Sequence, residues 1–363
     1  MGTMKKISKL VFLCFPIVAL LLPCNCNGSN EIKGMFVFGS SLVDNGNNNF
    51  LRNSRAKANY LPYGIDFPYG PSGRFTNGKN VIDLLCDKLS LPFVPPFGDP
   101  STKGNRIIHG VNYASGASGI LDDTGLLAGE VISLNEQLKN FEEVTLPELK
   151  AEVGKRSGEV LKKYLFVVGS GGNDYTLNYF LNLSDANVSL QFFTANLTKS
   201  LSTQLQKLYK LGGRKFVLMS LNPLGCYPVA KANYPSQIGC NKPLNRAAHL
   251  FNAQLKSLVG SIKPLMPASH LVYVNSYTII THLITNPTSK GFKDASNPCC
   301  EMASINGLCK KDGETCEDRS RHVFFDGVHP TEAVNVLIAN KAFDSNLKTE
   351  AYPINIKQLA MRY

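Results

Sequence analysis

The sequence predicts one three-layer α/β domain, a parallel sheet of about five strands covered by helices on both faces. Three observations predict it. Five apolar runs are too continuous for strands with one wet face, segments of helical periodicity separate them, and no Pro-, Gly- and Ser-rich linker parts the chain in two. The 363 residues alone leave one or two domains open. A composition of 44% hydrophobic and 18% charged residues is ordinary for a globular protein.

The strand-like runs are "MFVFG" (35–39), "IIHGVNYA" (107–114), "YLFVVGS" (164–170), "KFVLMS" (215–220) and "HLVYVN" (270–275), of which the second is the least regular. Between them, "NVIDLLCDKLS" (80–90) and "VISLNEQLKNFEEV" (131–144) carry helical periodicity. So does "LTKSLSTQLQKLYKLG" (197–212), stopped by Gly212-Gly213. The longest helix is predicted over "LNRAAHLFNAQLKSLVGSIK" (244–263). A last one is predicted over "PTEAVNVLIANKAF" (330–343), with Pro330 as its first helical residue.

The N-terminus reads as an export signal. Lys5, Lys6 and Lys9 precede an apolar run from Leu10 to Leu22, then Pro23 and a small, polar stretch. That run is too short to span a bilayer, so residues 1–27 are expected to be a cleaved signal peptide and 28–363 the domain; a short membrane anchor is the lesser alternative. No later segment has transmembrane length, and a soluble, extracytoplasmic protein is expected. Three glycosylation acceptors, Asn182, Asn187 and Asn196, fall within 17 residues and agree with export.

Cysteine placement fits an oxidising compartment. Cys226 and Cys240 are spaced to close a short loop, and Cys299, Cys300, Cys309 and Cys316 occupy a segment of little apolar content that stapling would stabilise. Four cysteines allow three pairings, among which the sequence does not choose. Zinc is a weaker reading of this cluster, because adjacent Cys299-Cys300 is poor ligand spacing. Cys86, inside "VIDLLCDKL", is expected to be a buried free thiol. The net charge of +11 comes from scattered bases, so nucleic acid is not an expected partner. A monomer is expected.

Parallel sheets bind ligands at the carboxyl ends of their strands. After the first run come Ser40 and Ser41, after the second "SGASG" with Gly116, after the third "GGND" with Asn173. Beyond the fifth stands "FFDGVHPTE" with Asp326 and His329. A serine hydroxyl becomes a nucleophile when an imidazole takes its proton, and the imidazole needs a partner that fixes its tautomer. His329 and Asp326 can supply both. The oxyanion formed by attack on a carbonyl needs donors, for which the nucleophile's own N–H, the Gly116 N–H and the Asn173 amide are candidates. Each element alone is weak: Asp-x-x-His is usually a surface coincidence, "SGASG" a turn and Asn173-Asp174 a helix cap. Their ordered arrival at strand ends carries the weight.

The blocks "FVFGSSLVDNGNNN", "GVNYASGASGIL", "VVGSGGNDY" and "FFDGVHPTEA" resemble the four signature blocks of the plant GDSL esterase/lipase family, in the SGNH hydrolase superfamily. The likeness runs from about Lys33 through the "PTEA" helix and takes in "PYGIDFPYGPSGRFTNGKNVIDLL" (62–85), "LNPLGCYP" (221–228) and "LNRAAHLFN" (244–252). It implies a flavodoxin-like α/β/α fold and hydrolysis of a small-molecule or lipid ester outside the cell, in the apoplast or cell wall, with no metal or cofactor. It also implies Ser41 as nucleophile, Gly116 and Asn173 as oxyanion donors, His329 as base and Asp326 as its orienter. The spacing agrees with Ser41, since Gly39 allows a sharp turn that would leave it near a helix N-terminus.

Two positions depart from the family pattern. The Gly-Asp-Ser-Leu motif reads Gly-Ser-Ser-Leu here, and replacing a charge-assisted bond by a neutral one at Ser40 would loosen the turn by about 1 kcal/mol. Phe325 stands where relatives often carry Trp. Two other readings of the same fold are an acyltransferase that passes the acyl group to an alcohol, and a catalytically silent lipid- or carbohydrate-binding protein. Pocket shape is expected to come from loops 50–70, 92–106 and 176–196. Their aromatic residues (Phe50, Tyr60, Tyr63, Phe67, Tyr69, Phe93, Phe97) either line an acyl or phenolic pocket or, more often in such loops, simply pack.

Overall fold

The computed structural model describes residues 1–2, 32–154, 157–181, 188–233, 239–303 and 307–362. Residues 3–27 of the expected signal peptide and the acceptors Asn182 and Asn187 lie outside the described residues. Each of the five apolar runs contains a strand: β1 (Gly34–Gly39), β2 (Gly110–Asn112), β3 (Tyr164–Gly169), β4 (Lys215–Met219) and β5 (His270–Val274). They pair in parallel in the order β2-β1-β3-β4-β5, with Gly34 to Gly39 in register against Tyr164 to Gly169. Nearly every residue of β1, β3 and β4 is buried, which is why these runs are apolar throughout. β2 is shorter than its run because Ile107 closes a 310 helix (Gly104–Ile107) and residues 108–109 form a turn; Gly110, at φ +103°, then enters the sheet so close to β1 that a Cβ would strike the Met35 carbonyl.

A polar pair, β6 (Asp294–Pro298) and β7 (His322–Phe324), forms a separate two-stranded parallel sheet. The main sheet ends in β8 (Ala351–Tyr352), which runs antiparallel to β5. In chain order the helices are α1 (Val81–Leu89), α2 (Leu134–Asn140), α3 (Leu146–Val153), α4 (Ser157–Leu161), α5 (Gly172–Thr176) and α6 (Leu190–Lys210). They continue with α7 (Pro228–Asn233), α8 (Lys242–Ser261), α9 (Ser276–Thr285), α10 (Glu332–Asp344) and α11 (Ile356–Ala360). The crossovers group α1, α10 and α11 on one face and α2, α6 and α8 on the other. The result is the three-layer α/β/α architecture that the sequence predicts.

Local chemistry sets the element ends. Asn80 accepts the N–H groups of Ile82 and Asp83 while Asp83 accepts the Asn80 N–H, a capping box that starts α1. Arg74 grips both oxygens of the same buried Asp83 at 2.7 Å, locking the preceding loop to that cap. The 131–144 segment is longer than its pattern suggests: a π turn at Phe141–Thr145 joins α2 to α3. Phe141 is buried against Phe36, Phe38 and Phe166, an anchor strong enough to hold the irregular turn. At α10, Thr331 is the N-cap and Pro330 lies outside the helix, bridged to Phe324 instead of opening the first turn.

The disulfides are Cys226–Cys240, Cys299–Cys316 and Cys300–Cys309. The last two staple the β6–β7 region. Both sulfurs of the Cys299/Cys316/His322 cluster are thereby consumed, so it offers no thiolate pair to zinc. Cys86 is a free thiol buried in α1, and burial pushes its pKa up to about 12. Among the described residues no helix is long and apolar enough to cross a membrane.

Candidate active site

β1 delivers the two serines through a sharply turned glycine. Gly39 sits at φ +146°, and a Cβ there would lie 2.2 Å from the Gly169 carbonyl oxygen. Gln137, fully buried on α2, holds both backbone groups of Gly39: its Oε1 accepts the Gly39 N–H at 2.8 Å and its Nε2 donates to the Gly39 carbonyl at 2.9 Å. Ser40 continues the pairing by donating its N–H to Gly169, and Val43 closes the turn on the Ser40 carbonyl. Residues 41–43 form a turn and not the start of an α-helix. The helix-dipole argument for Ser41 is therefore corrected: with the 310 helix beginning only at Asn47, the dipole is not beneath its hydroxyl.

Ser41 Oγ lies 2.7 Å from His329 Nε2, and His329 Nδ1 lies 2.8 Å from Asp326 Oδ2. A carboxylate only accepts, so Nδ1 carries the imidazole proton and Nε2 is free to accept from Ser41. Asp326 is fully buried and His329 nearly so. The Asp326 carboxylate accepts four bonds: Val328 N–H and His329 N–H on Oδ1, at 2.8 and 2.6 Å, and His329 Nδ1–H and the Tyr63 hydroxyl on Oδ2. The short loop between β7 and α10 is thus folded around the acid. Phe75 packs its ring on the imidazole, centroids 5.0 Å apart, and covers it from one side.

Asn173, on the first turn of α5 after β3, faces the same cavity as Ser41 and His329. Its amide has two hydrogens; one donates to the Ser118 carbonyl at 2.9 Å, which fixes the group and leaves the second for a ligand. Gly116 is placed differently. Its N–H donates to Asp44 Oδ2 at 3.0 Å, and its neighbour Ala117, not Gly116 itself, lines the cavity. Asp44 is fully buried and also accepts the N–H groups of Gly46 and Asn47. Desolvation outweighs these donors and nearby Arg74, pushing the Asp44 pKa up to about 6. On α5, Asp174 is likewise a buried acceptor, taking bonds from Ile120, Leu121 and Thr124, with its pKa also raised by burial.

The cavity at Ser41 has a volume of about 520 Å³ and a largely apolar wall that includes Leu127, Leu177, Phe180, Leu224, Tyr227 and Leu308. Of the three loops expected to shape it, 50–70 contributes Arg55 and Ala56 and 176–196 contributes Thr176, Leu177, Phe180 and Leu181. None of the seven loop aromatics lines it. Phe67, Tyr69 and Phe93 pack on one another, and Phe97 packs on Tyr113. Asn196 is exposed on α6, where an acceptor for a glycan is accessible.

Sequence reasoning missed the supporting polar residues. Asn47 and Asn48 have no role in the sequence reading, yet both are buried. Asn47 donates to the carbonyls of Asn112 and Ala114, and Asn48 donates to those of Ala56 and Gly116. Four asparagines within five positions, Asn45, Asn47, Asn48 and Asn49, shortly after an apolar strand are the available signal, because buried amides must find partners. Gln137 and Tyr63 carried no comparable signal.

A doubly covered parallel sheet with a serine, an imidazole and a carboxylate in one hydrogen-bonded chain at its carboxyl edge belongs among the α/β/α hydrolases. A family model, GDSL-like Lipase/Acylhydrolase, matches residues 35–342, and the chain belongs to that family. It is 39% identical to GDSL esterase/lipase At4g16230 of Arabidopsis thaliana, with 97% of this chain and 98% of that protein aligned. Identity to GDSL esterase/lipase At5g08460 of the same plant is 44% over 90% of this chain and 87% of that protein. For its GDSL esterase/lipase 7 the figures are 38%, 90% and 91%. Family membership supports a hydrolase acting on esters.

Proposed function

We propose that the protein is an exported serine esterase or lipase that cleaves carboxylic esters through an acyl-enzyme on Ser41. The observation that carries this is the continuous chain Ser41 Oγ, His329 Nε2, His329 Nδ1, Asp326 Oδ2, with steps of 2.7 and 2.8 Å, opening into an apolar cavity. His329 takes the Ser41 proton as Oγ bonds the ester carbonyl carbon. The oxyanion is met by the Ser41 N–H and the second Asn173 amide hydrogen, and by the Gly116 N–H once it is shared with or released from Asp44. Collapse breaks the bond to the alcohol oxygen, which receives the proton from His329. Water then repeats the sequence to free the acid.

Removal of residues 1–27 and export agree with three disulfides and with the exposed Asn196 acceptor. The test is hydrolysis of short- and medium-chain p-nitrophenyl esters by the secreted protein beside Ser41→Ala. Loss of activity and of fluorophosphonate labelling in a folded Ser41→Ala supports the reading, and an unchanged rate refutes it. Ester formation with an added alcohol would instead identify transfer as the activity.

A further inference from the structure

We propose that Tyr63 is a positioning residue for the reacting chain, holding the Asp326 carboxylate toward His329 from a seat fixed by the Cys300–Cys309 disulfide; this rests on the function proposed above. The Tyr63 hydroxyl is 2.6 Å from Asp326 Oδ2, the same oxygen that accepts His329 Nδ1–H. A phenol has one proton, and an ionised carboxylate can only accept, so that proton lies toward Asp326. The phenol oxygen in turn accepts the backbone N–H of Cys309 at 3.0 Å, which leaves the fully buried hydroxyl satisfied on both sides.

Cys309 is itself anchored. Its sulfur is bonded to Cys300, and its carbonyl accepts the Tyr60 hydroxyl at 2.9 Å. Cys300 donates its N–H to the carbonyl of Phe325, the residue before Asp326. The disulfide therefore ties the Cys309 segment to the loop that carries the acid, and Tyr63 bridges the two. Phe75, Phe325 and Tyr60 each pack edge-on against the Tyr63 ring. Backbone N–H groups secure Oδ1, but Oδ2 has Tyr63 as its second donor beside the imidazole. Without the phenol the carboxylate gains freedom to turn about its Cβ–Cγ bond, and the imidazole loses a fixed partner. Burial and the Asp326 charge raise the Tyr63 pKa well above its ordinary value, so the donor keeps its proton across the working pH range.

The test compares Tyr63→Phe and Tyr60→Phe with the wild type, with Ser41→Ala run in parallel. Tyr63→Phe keeps the ring and removes the hydroxyl; kcat is expected to fall about tenfold with KM changed less than about twofold. Its downfield His329 Nδ1 proton resonance is expected to move, because the oxygen it points to has lost a competing donor. Tyr60→Phe, which releases the Cys309 carbonyl but leaves the Tyr63–Asp326 bond in place, is expected to lower kcat by no more than about twofold and to leave that resonance where it is. Equal losses in the two variants, or wild-type kcat and an unmoved resonance in Tyr63→Phe while Ser41→Ala is dead, overturn the positioning role. An active Ser41→Ala would sink the nucleophile assignment itself, and the role given to Tyr63 with it.

Discussion

Gly116 donates its backbone N–H to Asp44 Oδ2 at 3.0 Å, tying the loop after β2 to the loop after β1. The two blocks are 72 residues apart in sequence. Asp44 holds them together while also collecting the N–H groups of Gly46 and Asn47, so one buried carboxyl organises the ground on which Ser41 stands.

That carboxyl gives a pH dependence with a definite sign. Burial raises the Asp44 pKa from 3.8 to about 6, so the native state binds its proton more tightly than the unfolded chain. The stabilisation from protonation is complete below about pH 4 and is lost as pH rises through about 6, a difference of about 3 kcal/mol. Urea unfolding at several pH values between 4 and 7 measures it. Asp44→Asn should remove this slope; the same slope in both proteins would show that Asp44 is not its source.

Gln137 is expected to matter more than its sequence context suggests. Gln137→Leu keeps the approximate volume but strands the Gly39 N–H and takes a donor from the Gly39 and Ile132 carbonyls, which bind Nε2 at 2.9 and 2.8 Å. A loss of about 2 to 4 kcal/mol in chemical denaturation follows from leaving such groups buried and unpaired. Ester hydrolysis should fall as well, since the turn before Ser41 loses its clamp. A variant as stable as the wild type would disprove the clamp.

Ser40 and Ser170 follow the register pair Gly39 and Gly169, and both line the cavity. Ser170 Oγ is buried without a hydrogen-bond partner among the described residues. Ser170→Ala should therefore change stability by less than about 0.5 kcal/mol or raise it. Ser40→Asp restores the motif's carboxylate, and kcat/KM should be kept or raised by up to about fivefold. A sharp fall in the rate of Ser40→Asp would mean that the turn has been rebuilt around serine.

Thiol titration offers an inexpensive check on the cysteine assignment. With three disulfides and Cys86 buried at a pKa near 12, a protein freed of residues 1–27, as proposed, should react with no thiol reagent when native and with one equivalent when denatured and unreduced. Two or more equivalents after denaturation would exclude the full set of disulfides.

The main sheet was legible because strands buried on both faces leave unbroken apolar runs, and β1, β3, β4 and β5 fall inside theirs almost residue for residue. α9 was hidden: "SYTIITHLIT" is rich in β-branched residues and follows a strand directly, so its composition argues against the helix it forms. β6, reading "DASNP", has neither length nor apolar content, and a disulfide-stapled setting supports it in place of a core. At the site, strand ends and the family likeness nominate Ser41, Asn173, Asp326 and His329, and the structure places Ser41, Asn173 and His329 on one cavity with Asp326 bonded to His329. Tyr63, Gln137 and Asp44 were not found, because a single buried polar side chain has no periodicity to reveal it, and the bonds by which they reach Asp326, Gly39 and Gly116 span 72 to 263 residues.

The two-residue strand β8 has a consequence for the assembled molecule. Tyr352 and Ala351 pair with Tyr273 and Val274 and close one flank of a sheet whose strands are otherwise rich in Val, Phe and Leu. All the groups assigned to chemistry precede the end of α10, whereas the tail beyond it contributes the buried Ala351, Ile356 and Leu359, so a chain cut there would lose both its seal and part of its core. Its bare β5 would offer a row of unpaired amides and carbonyls to any other copy. The tail after α10 thus covers part of an open sheet edge, and a chain shortened there is expected to associate with itself.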